Sequence, residues 1–124
     1  MIAEKYISSM QNYRVSGSDD EWFFAKLTDS LLEECNGSAA FDAIEPIVGI
    51  AVSEIEGDLF YDHVQFLIKL GRKANTSESP VALKNSIESL QEKAFNFGRS
   101  EMDAVKQLCT WFRLPYNKSV KQTD

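Results

Sequence analysis

From residue 83 onward the apolar side chains Leu83, Ile87, Leu90, Ala94 and Phe97 recur four, three, four and three positions apart. On a helix with 3.6 residues per turn that spacing puts all five on one face; on a strand it scatters them over both. Apolar and polar residues alternate over at most five positions, at 12–16, so no sheet is expected and the core has to be built from helices alone.

Six amphipathic segments follow one another. The first covers about 2–14 on Ile2, Tyr6, Met10 and Tyr13, and Gly17-Ser18 breaks it. Ser18 and Glu21 fit a capping box, and a second helix runs to about 35 on Phe24, Leu27, Leu31 and Cys35. Asn36-Gly37 reads as its stop. The third spans about 38–56, where Pro46 predicts a kink or short break near Glu45. Beyond it Ile47, Val48, Ile50, Ala51, Val52 and Ile55 cover most of the circumference, which marks this as the central helix. Gly57 ends it, Asp58 caps the fourth at about 59–73, and a polar loop follows to Ser79. Ser79 as cap with Pro80 at the first helical position opens the fifth. Gly98 closes it, and Ser100 with Asp103 opens a sixth that Pro115 ends.

Residues 1–124 therefore read as a single all-α domain, with a tail expected to fray from about 117. Short connections make consecutive helices antiparallel. The second and third helices together span about 38 residues, as do the fourth and fifth, near the repeat length of helix-pair solenoids. The expected fold is about six helices in a compact bundle or a short HEAT-like stack.

Charge narrows the classes of partner. A net charge of −6 disfavours nucleic acid and anionic membranes. Its distribution is bipolar: residues 1–63 hold thirteen acidic and three basic groups, residues 64–124 six acidic and ten basic. Such asymmetry points to an interaction surface, although solvated helix faces also produce it. Apolar runs such as Ile47–Val52 are too short to span a membrane, and the N-terminal residues lack the pattern of a secretory signal. Cys35 and Cys109, with no CxxC motif, read as buried thiols of a reducing, cytoplasmic compartment.

The stretch VSEIEGDLFYDHVQF (52–66) gathers Glu54, Glu56, Asp58 and Asp62 around the only histidine, His63. A di-metal site in a helix bundle wants Glu-x-x-His pairs, and position 60 is Phe. Zinc wants more His or Cys than the chain has, so no metal or cofactor is expected. A histidine base needs a second group that no spacing reveals; His63 reads as a packed or solvated bystander. As a binding surface the stretch fares better. Glu54 and Glu56 fall in the last turn of the expected third helix, against the negative end of its dipole. Asp58 and Asp62 repel each other one turn apart. Folding alone would not select that arrangement, and Tyr61 adds an aromatic anchor. Asp19, Asp20 and Asp42 extend the acidic face. Trp22, beside Phe23 and Phe24, is either a partly exposed contact or core packing.

In its acidic first half, its SEIEGDLFYDH corner (53–63) and its six-helix pattern over about 2–114, the chain resembles the helical immunity proteins of contact-dependent inhibition and related polymorphic toxin systems. The resemblance implies a cytoplasmic, non-enzymatic inhibitor that forms a 1:1 complex with a cognate toxin domain, commonly a basic nuclease, and blocks its cleft. The expected contact residues are Glu54, Glu56, Asp58, Tyr61, Asp62, Asp19, Asp20 and Asp42. The alternative is a helical adaptor or regulatory subunit of another complex.

Overall fold

A computed structural model describes residues 2–16 and 22–116. Among these residues there are six helices and no strand: α1 (Ile2–Ser16), α2 (Phe23–Glu33), α3 (Gly37–Ser53), α4 (Gly57–Ala74), α5 (Val81–Phe97) and α6 (Arg99–Phe112). The expected capping box at Ser18 and Glu21, the acids Asp19 and Asp20, and the tail from 117 lie outside the described residues.

The helices pack as three antiparallel hairpins, α1·α2, α3·α4 and α5·α6. Each odd helix also packs on the next odd one and each even helix on the next even one. Two layers result, one of α1, α3 and α5 and one of α2, α4 and α6, which is the arrangement of a short helix-pair stack. The most deeply seated helix is α4 rather than α3. It touches α2, α3 and α6 and buries Phe60, Val64, Phe66, Leu67 and Leu70 completely.

Several helix boundaries differ from the sequence reading. Pro46 causes no break: α3 runs through it, held by Ile44, Ile47 and Val48 in the core. Asn36 starts α3 instead of stopping α2, because its side-chain oxygen accepts from Ala39 N–H at 2.8 Å. The third helix ends at Ser53, three residues early, so Ile55 is exposed instead of lining the core. Pro80 is the N-cap of α5, and Gly98, at φ 148°, both closes α5 and precedes α6 without the Ser100 cap. Only glycine adopts that φ without strain. Both helices of the last turn region end left-handed: Asn75 after α4 and Arg113 after α6, each at φ 57°.

Two polar ties act within the even layer. Lys69 Nζ donates to Thr28 Oγ1 at 3.0 Å and lies 5.3 Å from the centre of the Phe24 ring, fixing α2 to α4. Trp111 Nε1–H donates to the Thr76 carbonyl at 3.0 Å, fixing α6 to the segment after α4.

Candidate functional site

The opening acidic stretch divides into an inner and an outer half. Glu54 is inner: its carboxylate is 5% exposed. Its Oε1 accepts from His63 Nε2 at 2.8 Å, and Arg14 Nη2 donates to Oε1 at 2.6 Å and Oε2 at 2.7 Å. Oε2 also accepts from Ile55 and Glu56 N–H, at 3.0 and 3.1 Å. Those last two bonds turn the chain out of the helix after Ser53, which is the local reason α3 stops there. Burial would raise the carboxyl pKa, but the His63 and main-chain donors with Arg14 hold it below its ordinary value, so Glu54 is ionised.

The ionised carboxylate decides the histidine tautomer. His63 is buried and kept neutral by desolvation. Nε2 therefore carries the proton toward Glu54, and Nδ1 accepts from Tyr6 O–H at 2.8 Å. Tyr6 is fully buried, stacks on Phe66 at 4.3 Å, and its hydroxyl pKa is raised, first by desolvation and then by Asp62 and Glu54. A cleft of about 260 Å³ is lined by Glu54 and His63, with Arg14 among its other lining residues. His63, expected to be packed or solvated, is packed: both ring nitrogens are engaged, and the ring joins α1 to α3 and α4. Glu54, expected in the partner surface, is buried and engaged by Arg14, His63 and two main-chain N–H groups.

The outer half lies in a groove of about 600 Å³ where the starts of α2, α4 and α6 meet. Asp58, Tyr61 and Asp62 line one wall, Trp22 and Phe23 another, and Glu101 comes from α6. No Lys or Arg lines it among the described residues. Trp22 is 63% exposed and Tyr61 37%. Tyr13 stacks on Phe23 at 4.4 Å and closes the groove from α1. Burial, and then the Asp58 carboxylate one turn away, push Asp62 up to about 7.

The observed helix boundaries put two of these acids where folding favours their charge. Glu56 is the N-cap residue of α4 and Asp58 sits in its first turn, both at the positive end of the dipole. Glu56 also lies 3.5 Å from Arg14 Nε, outside the groove. Asp62 alone of the four sits where folding opposes its charge. Asp42 is exposed on α3 and does not reach the groove. Two groove residues were beyond the acid pattern. Trp22 was signalled by three consecutive aromatics that cannot all face inward; Glu101 had no signal, because only the packing of α6 on α4 brings it there.

Among the described residues no group of three His, Cys, Asp or Glu side chains is placed to hold a metal ion. No helix there is long and apolar enough to cross a membrane. Compared with protein-family models, curated proteins and solved structures, the chain matches none.

Proposed function

We propose that this chain is a binding protein of the immunity kind, which takes a basic toxin domain, a nuclease acting on RNA or DNA, against the groove at the head of α2, α4 and α6. One chain binds one toxin domain in the cytoplasm and covers its nucleic-acid cleft, with neither cofactor nor reaction of its own. The observation that carries this reading is the composition of the groove: exposed Trp22 and Tyr61 beside Asp58, Asp62 and Glu101, with no lining cation among the described residues.

Such a surface suits a lysine- or arginine-rich segment. The aromatic rings attract a cation over their faces and supply the buried anchor area of an interface. The carboxylates stand in for the phosphates that the toxin's cleft holds otherwise, and they steer encounter. A partner cation beside Asp62 also relieves it, because the ionised form gains a neighbour of opposite sign. The polar triad Tyr6–His63–Glu54 supports a non-catalytic reading: its hydroxyl is sealed in the core and its protons are committed to internal bonds.

The test is to isolate the chain with its bound protein from its own cells, identify that protein, and assay its nuclease activity against added chain. Stoichiometric inhibition of a basic nuclease is expected. An Asp58→Lys, Tyr61→Ala double variant should associate about tenfold more slowly or worse, most visibly at low salt. A double variant that inhibits as well as the parent removes the groove from the mechanism. A bound protein with no toxic activity would make the chain an adaptor instead.

A further inference from the structure

At the opposite end of the even layer, α4 and α6 flank a second, open cleft of about 690 Å³ with the inverse character, its cations exposed. Arg72 comes from the last turn of α4, Lys106 from the middle of α6, and Arg113 from the residue after it. Asn75, Thr76, Ser77 and Thr110 add donors, and no carboxylate lines the cleft among the described residues. None of the three cations is paired with an acid among the described residues. In a chain of net charge −6, three cations sharing one cleft repel one another without a countercharge.

Helix dipoles explain part of this: Arg72 and Arg113 stand at negative helix ends. They do not explain Lys106, which is seven residues into α6 and one turn from Thr110 on the same face. The backbone adds an independent observation. Both non-glycine residues with left-handed φ among the described residues, Asn75 and Arg113, line this one cleft. Both are the C-cap residues of their helices, an ordinary left-handed ending that sets Arg113 at the rim of the cleft. The wall is also rigid, because Trp111 is pinned through Nε1 to Thr76 and rests on Gly71, where a methyl group would come within 2.6 Å of Nε1.

We infer that this cleft is a binding site for a small phosphate ester of mononucleotide size. Arg72, Lys106 and Arg113 take the phosphate, the hydroxyl and amide groups complete its hydrogen bonds, and Trp111 with Ile68 offers apolar surface to the organic part. The volume lies in the range of small-molecule sites. Guanidinium groups match phosphate oxygens in pairs, which a solvated surface lysine does not. The inference is independent of the groove at the other end of the layer.

Trp22 is the one other tryptophan of the sequence and lies in the other groove, so a Trp22→Phe background makes Trp111 the sole indole reporter. In that background AMP, titrated at constant ionic strength, should change the emission saturably, and inorganic phosphate should bind more weakly. Lys106→Ala and Arg113→Gly should each weaken AMP about tenfold, the loss of one charge-assisted contact. Lys84→Ala, at an exposed position of α5 that does not line the cleft, should leave it unchanged. The inference fails if AMP gives no saturable change, if sodium chloride of equal ionic strength reproduces it, or if both cleft variants bind AMP like the parent. Binding of a single-stranded oligonucleotide without AMP binding would likewise overturn it.

Discussion

Glu54 and Asp62 are both acids of the same short stretch, and their surroundings give them opposite roles. Glu54 receives donors from α1, from α4 and from its own main chain. Removing it leaves a buried imidazole and a half-buried guanidinium without their acceptor. Glu54→Ala should therefore cost about 3 kcal/mol in urea unfolding, and Tyr6→Phe, which leaves Nδ1 unsatisfied, about 1–2 kcal/mol. The pH dependence separates the two acids further. Glu54 and His63 have folded pKa values below their ordinary ones, so the stability they contribute is complete above pH 6.5. It is lost as pH falls, first with His63 below 6.5 and then with Glu54 below 4.5. Asp62 is raised from 3.8 to about 7, so its contribution is present below 3.8 and lost as pH rises through 7. An Asp62→Asn variant should thus melt higher than the parent at about pH 8 and no higher at about pH 4. Equal melting curves at both pH values would mean that the groove does not desolvate this carboxylate.

At the scale of elements, the positions where the chain leaves the helix carry most of the information. The six apolar stripes were legible because a 3.6 period survives any tertiary context. The ends were not. Glu54 stops α3 with an acceptor whose role depends on Arg14, forty residues away, and Asn36 serves the helix after it where its dipeptide suggested the helix before. Pro46 reads as a breaker, yet packing on both sides of α3 outweighs one lost hydrogen bond. Two substitutions probe the turn after α4 and α6. Gly71→Ala places a methyl 2.6 Å from Trp111 Nε1 and 2.7 Å from Phe112 Cζ. It should destabilise by about 1–2 kcal/mol, since overpacking outweighs the gain in helix propensity. Arg113→Gly should do the reverse, stabilising by about 1 kcal/mol as the left-handed strain is released. Both are read from the midpoint and slope of denaturant unfolding.

Over the whole molecule, the antiparallel hairpins make α2, α4 and α6 run the same way, so their dipoles add. Acids gather at the shared N-terminal end (Asp58, Glu101) and cations at the shared C-terminal end (Arg72, Arg113). The bipolar charge of the sequence thus becomes two clefts of opposite sign on one layer. A stack also unfolds from its ends, because the outer hairpins have neighbours on one side only. Amide hydrogen exchange should find α1 and α2 opening before α3 and α4, and Glu54→Ala should hasten α1 most, since that carboxylate ties Arg14 to the core. Uniform exchange at a single global free energy would count against independent opening of the first hairpin.

By itself the sequence determined the all-helical class, the number of helices and the faces they bury, because periodicity and end-residue preferences are local properties of the chain. It also placed Asp58 and Asp62 one turn apart on one helix face, with Tyr61 among them as an aromatic anchor. Only the tertiary structure decided that Glu54 and His63 point inward, that Trp22 and Glu101 join the outer acids, and that Arg72 meets Lys106 and Arg113. Each of those outcomes depends on which helix packs beside α4, and desolvation and pairing act between residues that are distant in the chain.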